Sequence, residues 1–357
     1  MTEPEPIRRL IEAGYKVSFL RRVQKRFADR ALVEPSIDLS RFRVSVGFDT
    51  IKLRCIFPDR TPRRHLQVRL KREIGAIDPY VDADPHAPQC EKVQTCIVTL
   101  QRPTIVMLQQ LRHIVVSEPE LVEVHVAADF RPRGDLDRTE WVRQCVTIRN
   151  VLYRHAVIKP SVENWTNNPR WASAPDRPAT CARSRFSVHD ESRDFTIGPQ
   201  DTLYLGHRCG PIEARIYVKV SDRISSPHQV TLPTKKIACR YEVVLGRVAL
   251  DKMGIVSVGD LQSFPFHLLG PQFNFRLLTL RKASGSALNQ KVTKRVHAGL
   301  ADRLLVGGLS LCIDDHLLNQ HWLPDRTIAY HVLNKRMNRA LTHLTLRVRR
   351  GEGAASV

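Results

Sequence analysis

The sequence predicts an α+β fold in which a largely antiparallel sheet carries helices on one face and an active site on the other. Stretches that alternate apolar with polar residues, as at 121–130 and 213–220, are typical of half-buried strands. Three strand-like stretches follow one another between 202 and 245, separated by Gly, Pro, Ser and Asp turn residues. Such close succession favours antiparallel neighbours. Stretches with helical periodicity surround these strands and dominate the C-terminal region.

The length of the chain suggests two units. A chain of 357 residues with 42% hydrophobic content can bury a full core, either as two domains or as one domain with a helical extension. We predict an α+β domain over 1–255 and a helical, basic C-terminal region over 256–357. The first domain contains a long irregular insert at 159–200, rich in Pro, Asn, Ser, Asp and Arg. Connections this long are usually functional or disordered segments.

Further strands and a loop are predicted from local patterns. Residues 44–48 and 66–70 look like strands, and residues 237–245 predict the last of the three closely spaced strands. The Pro- and Asp-rich run at 78–88 predicts a surface loop.

Helices are predicted from apolar stripes and capping signals. Pro103 suits a first helical turn, and the stripe that follows is Met107, Leu111 and Ile114. Asp137 and Glu140 have the spacing of a capping box, and the helix they begin has the apolar face Trp141, Cys145, Ile148 and Leu152. Three more helices are predicted toward the C-terminus, at 247–253, 287–305 and 327–347.

Charge predicts the class of partner. The chain has 56 Lys and Arg against 36 Asp and Glu, a net charge of +20, which attracts polyanions and makes nucleic acid the expected partner. A basic composition is also found in ribosome-associated and membrane-surface proteins, so the choice among these partners depends on the motifs.

The eight cysteines include no C-x-x-C pair and are read as reduced thiols, not zinc ligands. With neither an apolar signal core nor a membrane-length apolar run, we expect a cytoplasmic protein with no membrane partner.

Ionisable residues fall on the same side of three predicted strands. Strand side chains alternate between faces, so Val122, Val124, Val126 and Ala128 form one face of 121–130. The other faces of the three strands carry Glu123, His125 and Asp129, then Arg215, Tyr217 and Lys219, then Arg240 and Glu242. A single sheet could therefore gather all of these residues.

These residue types suit metal-assisted phosphodiester chemistry. Asp129 and Glu242, with His125 or Glu123 as a further ligand, offer oxygen and imidazole donors for Mg²⁺ or Mn²⁺. Tyr217 would supply the nucleophile, because a nearby metal cation and Lys219 would lower the pKa of its phenol and favour the reactive phenolate.

The same residues resemble a known family, the replication initiation factors of rolling-circle plasmids (the Rep_trans type). A weaker likeness is to the gene II initiators of filamentous phages. The resemblance covers about residues 121–254. Its marks are a strand ending in Asp at 124–129, the run Thr-Leu-Tyr-Leu-Gly-His-Arg at 202–208, Arg-x-Tyr-x-Lys at 215–219, and Arg-Tyr-Glu at 240–242.

The resemblance implies a DNA nickase that cuts one strand through a 5′-phosphotyrosine intermediate and leaves a free 3′-OH to prime replication. Tyr217 would be the nucleophile, Asp129 and Glu242 would hold the metal, and Lys219 would contact the scissile phosphate. The expected DNA contacts are Arg208, Arg215 and Arg240. The expected partner is origin DNA, single-stranded or supercoiled, with a host helicase and a second copy of the chain, forming a homodimer, as further candidates.

Each site residue also has a structural interpretation. Tyr217 by itself resembles a half-buried strand aromatic, and His125 is as easily a hydrogen-bonded structural histidine as a ligand. Arg240 and Glu242 also fit an ordinary cross-strand charge pair. The basic C-terminal segments are either solvated helix faces or surfaces that bind duplex DNA. Trp165 and Trp171 could stack on unpaired bases.

The sequence departs from the family at two positions, and this keeps a second function open. Relatives often have Asp where this chain has His125, and Glu where it has Asp222. The alternative is a sequence-specific DNA-binding regulator, or a decayed initiator, without nicking activity. A tyrosine recombinase is disfavoured because none of the 14 histidines begins a His-x-x-Arg segment. The other large nickase class needs a His-hydrophobic-His signature, which His125 with Glu123 two residues before it does not provide.

Overall fold

The computed structural model describes residues 15–19, 30–85, 92–157, 170–172, 186–187, 202–205, 210–223, 229–282 and 322–352. The strands in this part of the chain are β1 (Tyr15–Phe19), β2 (Arg30–Pro35), β3 (Phe42–Pro62), β4 (Ile77–Ala83), β5 (Lys92–Gln101), β6 (Glu120–Pro132), β7 (Ala156–Val157), β8 (Arg170–Ala172), β9 (Phe186–Ser187), β10 (Thr202–Leu205), β11 (Ile212–Lys219), β12 (Ser221–Arg223), β13 (Gln229–Thr231), β14 (Ala238–Gly246), β15 (Asn274–Lys282) and β16 (Trp322–Ala329). The helices are α1 (Arg63–Ile74), α2 (Ile105–Ile114), α3 (Arg138–His155), α4 (Arg247–Lys252), α5 (Val258–Ser263) and α6 (His331–Arg349), with short 3₁₀ helices at Leu39–Arg41, Thr234–Lys236 and Phe266–Phe273.

A nine-stranded sheet forms the centre of the fold. Its strand order is β4-β5-β3-β6-β14-β11-β10-β8-β9, and the pairs along it are antiparallel. The mixture of this sheet with several helices confirms the predicted α+β class. The neighbouring strands β6, β14 and β11 are the three that the alternation pattern singled out.

The apolar face of these strands packs against helices. Helix α3 contacts β6, β11 and β14 with the face predicted for it, and Trp141, Cys145, Ile148 and Leu152 are all buried. Its N-cap is Asp137, whose side chain accepts a hydrogen bond from the Glu140 N–H, as the capping signal predicts. The indole Nε1 of Trp141 donates to the Ile237 carbonyl just before β14, which secures the helix to the sheet.

Residues 66–70 are helical, so the predicted strand there is wrong. They belong to α1, in which Leu66, Leu70 and Ile74 are buried while Val68 is 59% exposed. The i, i+4, i+8 spacing of the buried residues is that of a helix face. A five-residue window is too short to distinguish this period from strand alternation.

The predicted loop at 78–88 is in part a strand. Its first residues, to Ala83, belong to β4, which pairs only with β5 at the edge of the described sheet. Pro79 is tolerated there because an edge strand leaves one row of N–H groups without a partner strand.

The C-terminal region holds strands as well as helices. Strands β15 and β16 lie in the part predicted as mostly helical, within a second sheet of order β1-β2-β15-β16 in which β7 also pairs with β15. The predicted helix at 327–347 begins four residues later, at His331, because Thr327 to Ala329 pair with β15. Strand β15 pairs with β16 and also with β2, which is far away in the sequence. No local sequence pattern reveals such pairing.

The other helix predictions have mixed outcomes. Helix α4 confirms the one at 247–253, and α2 confirms the one after Pro103. Thr104 caps α2, and of the predicted stripe Leu111 is buried while Met107 and Ile114 are half-buried. The helix predicted at 287–305, Trp165 and most of the insert at 159–200 lie outside the described residues. Among the described helices, none is long and apolar enough to cross a membrane.

Candidate active site

The sheet register brings the predicted site residues onto one face. Arg240 of β14 lies opposite both Asp129 of β6 and Tyr217 of β11, and Arg215 lies opposite Glu242. Directly paired residues on neighbouring strands project to the same side of a sheet. The face therefore gathers acids from two strands around a tyrosine from a third.

Three side chains on this face form a group that could hold a metal ion. One ligand atom each from Asp49, His125 and Glu242 lies within 4.8 Å of the others. Two carboxylates and one imidazole suit Mn²⁺, whereas Mg²⁺ prefers oxygen ligands throughout. Of the four predicted metal ligands, His125 and Glu242 belong to this group.

Asp49 was not among the predicted ligands. Gly47 of β3 lies opposite Ala127 of β6, so alternation along β3 places Asp49 on the face of the site. The register with β6 shifts between Phe48 and Thr50, which leaves Asp49 without a directly paired residue on β6. The available signal in the sequence was an acidic residue immediately after the strand-like stretch 44–48.

His125 lies between two carboxylates. Its Nδ1 is 2.7 Å from Glu242 Oε1, and its Nε2 is 2.7 Å from Glu123 Oε1. Burial lowers the pKa of the imidazole, but the bonds to the two carboxylates outweigh it and raise the pKa to about 9. The ring is therefore a cation at neutral pH in the absence of metal.

Glu123, another predicted ligand, lies outside the group of three. It is bound by His125 on one side and by Lys52 Nζ at 2.8 Å on the other. Burial alone would raise the pKa of this carboxyl, yet His125 and Lys52 lower it to about 2. Its position suggests that it holds His125 in place.

Asp129, the remaining predicted ligand, is engaged by arginines. It is fully buried, and its two oxygens accept from Arg240 Nε at 2.7 Å and from Arg240 Nη2 and Arg131 Nη2 at 2.9 and 2.8 Å. Burial raises the pKa of this carboxyl, but the two guanidinium groups outweigh that effect and hold it below its usual range. With both oxygens so occupied, Asp129 lies outside the group formed by Asp49, His125 and Glu242, and its role as a metal ligand stays a prediction from the sequence.

Arg240, predicted as a DNA contact, is buried between two acids. Its side chain is 3% exposed and pairs with Asp129 and with Asp49. It thereby connects Asp129 to one member of the metal group. Its contact with DNA stays a prediction from the sequence.

Tyr217 is in hydrogen-bond contact with the metal group. Its hydroxyl donates to Glu242 Oε2 at 2.8 Å. Burial and the Glu242 charge raise the pKa of the phenol well above its usual value. Lys219 on the same strand lies 3.6 Å from Asp49 Oδ1 and 2.8 Å from Asp222 Oδ1.

The chain is similar to the solved structure of a rolling circle replication initiator protein from Geobacillus stearothermophilus, at 12% identity and a TM-score of 0.32. The similarity covers 75% of this chain and 97% of that one. No family model and no curated protein matches the chain.

The two other predicted DNA contacts have separate outcomes. Arg215 is partly exposed, pairs with Glu213 at 2.9 Å and lies 3.6 Å from Glu242 Oε1. Its guanidinium also lies over the ring of Tyr204, 5.7 Å from the ring centre. Arg208 lies outside the described residues.

Proposed function

We propose that this protein is a metal-dependent DNA nickase of the rolling-circle initiator type, with Tyr217 as nucleophile. The observation that carries the proposal is the 2.8 Å hydrogen bond from the Tyr217 hydroxyl to Glu242, a member of the candidate metal group. A nucleophile beside a metal group is well placed for metal-assisted phosphoryl transfer, because the ion can neutralise charge on the phosphate that the nucleophile attacks. The net charge of +20 fits DNA as the substrate.

The residues supply the steps of strand cleavage. The phenol oxygen attacks the phosphorus, its proton passes to Glu242, and the bond from phosphorus to the 3′ oxygen breaks. The products are a 5′-phosphotyrosine and a free 3′-OH, which takes up a proton. Mn²⁺ or Mg²⁺ held by Asp49, His125 and Glu242 would neutralise a phosphate oxygen and lower the pKa of the phenol. Lys219, beside Asp49, would stabilise charge on the phosphate.

The test is a search for a covalent adduct with DNA. Supercoiled and single-stranded DNA from the protein's own replicon is incubated with the purified chain and Mn²⁺ or Mg²⁺, and an SDS-resistant protein–DNA band is sought. We expect a band that requires metal and that is lost in Tyr217→Phe, which removes only the hydroxyl.

Tyr204→Phe is the matched control. Tyr204 lies on the neighbouring strand, opposite Arg215 and therefore on the same face as Tyr217. The variant should keep the band. A band lost in Tyr204→Phe and kept in Tyr217→Phe would instead make Tyr204 the nucleophile.

The alternative function is DNA binding without cleavage. Two observations favour it. The charges of the site are neutralised within the protein, since His125 is bonded to two carboxylates. In addition, burial and the Glu242 charge raise the pKa of Tyr217, which disfavours the phenolate. Salt-sensitive DNA binding with no adduct in either metal would support a regulator or decayed initiator. A host helicase, a homodimer and the division at 255 stay predictions from the sequence.

A further inference from the structure

A carboxylate is held between two cations at the rim of the site. Asp222 of β12 lies 2.8 Å from Lys219 Nζ through Oδ1 and 3.3 Å from Arg102 Nη1 through Oδ2. The three side chains are 19%, 15% and 37% exposed, so solvent reaches all of them. Each oxygen of one anion thus contacts one cation.

Arg102 is tied to the metal group through its backbone. It follows β5 directly, has a φ of +46°, and its N–H donates to the Asp49 carbonyl at 2.5 Å. The left-handed region is unfavourable for a residue with a Cβ and, when occupied, often marks a functional position. The turn brings the guanidinium to the Lys219 side of Asp49.

We propose that Arg102 and Lys219 form a binding subsite for a phosphate of the DNA backbone beside the cleaved bond, and that Asp222 occupies it until DNA displaces it. A phosphodiester and a carboxylate each carry one negative charge on two oxygens, so the same two cations can bind either. The 3.6 Å distance from Lys219 Nζ to Asp49 Oδ1 places this subsite next to the metal group. The identity of the ligand as DNA rests on the proposed function.

A purely structural role for the same ion pairs predicts a different effect on DNA affinity when the charge of Asp222 is removed. If Asp222 only joins the turn after β5 to β12 through its ion pairs, removing its charge leaves Arg102 and Lys219 less ordered and does not improve DNA binding. If Asp222 competes with phosphate, removing its charge frees both cations. The effect of Asp222→Asn on affinity therefore separates the two roles.

The experiment measures binding of a fluorescent single-stranded oligonucleotide of mixed sequence by anisotropy. It uses the Tyr217→Phe chain in EDTA, so that neither cleavage nor metal contributes. We expect Asp222→Asn to tighten binding about three- to tenfold. Arg102→Gln should weaken binding and reduce the slope of log K against log salt by about 0.7, the value for one phosphate contact on a single strand.

Matched controls come from a second ion pair. Arg112 Nε lies 2.5 Å from Glu118, with side chains 42% and 35% exposed, on and just after α2. Glu118→Gln and Arg112→Gln make the same charge changes and should shift affinity much less. Arg102→Lys keeps the charge and, since Arg102 contacts Asp222 through Nη1, should bind within about twofold of the parent. A loss in Arg102→Gln that Arg102→Lys does not share then reports the missing charge.

The outcomes also separate this inference from the nickase proposal. Equal or weaker binding by Asp222→Asn, or a gain no larger than that of Glu118→Gln, overturns the subsite even if Tyr217 forms an adduct. A gain specific to Asp222→Asn supports the subsite even if the adduct assay shows no cleavage.

Discussion

Asp49 and Arg240 pair across the sheet, although they lie on strands β3 and β14 that are separated by β6. The pair spans β6 because both side chains lie on the same face of the sheet and because Arg240 is long enough to reach over the neighbouring strand. It links the candidate metal group to the buried Arg240–Asp129 ion pair.

Asp49→Asn should weaken Mn²⁺ binding by at least about tenfold, since it removes one charged ligand of three. Mn²⁺ binding can be measured by electron paramagnetic resonance of the free ion. Glu123→Gln serves as the comparison, because Glu123 lies outside the group of ligand atoms, and it should have a smaller effect. A larger loss of Mn²⁺ affinity in Glu123→Gln than in Asp49→Asn would favour Glu123, a ligand expected from the sequence, over Asp49.

Mn²⁺ affinity should rise with pH. The pKa of His125 is about 9 because Glu123 and Glu242 outweigh the effect of burial, so metal must displace a proton at neutral pH. Affinity should therefore increase by up to about tenfold per pH unit between 7 and 9 and level off above. Calorimetry at pH 7.5 in buffers of different ionisation enthalpy should show the release of close to one proton. Binding that is independent of pH over this range would contradict His125 as a ligand.

Asp129→Asn should lower the free energy of unfolding by about 3–5 kcal/mol, since it leaves buried Arg240 without its main partner. Because the folded-state pKa of Asp129 is lowered, its contribution is present above its unfolded pKa of about 4 and is lost as pH falls through the lower folded value. Urea unfolding at neutral and acidic pH measures both effects. Glu352→Gln removes an exposed partner of Arg350 and should change little.

Leu70→Ala and Val68→Ala distinguish a helix from a strand at 66–70. In α1, Leu70 is buried and Val68 is exposed, so the first variant should cost about 2–5 kcal/mol and the second under about 0.5 kcal/mol. Both free energies come from urea unfolding. In a strand the two side chains would share a face, and comparable losses would contradict the helix.

Much of the candidate site was predictable because it depends on a short-range rule. Alternation along a strand assigns His125, Arg215, Tyr217 and Glu242 to one face without knowledge of the sheet order. The rule also placed Asp129 and Arg240 on this face, which is correct. Their roles were not predictable, since those depend on which side chain across the sheet completes each charge pair.

The sequence by itself determined the α+β class, the polar face of β6, β11 and β14, and the capped helix α3, because these follow from periodicities of two and 3.6 residues and from local hydrogen bonds. Only the tertiary structure decided that Asp49 joins His125 and Glu242, that Arg240 is buried, and that Arg102 meets Asp222. These contacts join residues that lie 76 (Asp49 and His125) to 193 (Asp49 and Glu242) positions apart along the chain. Such long-range geometry leaves no periodic signal in the sequence.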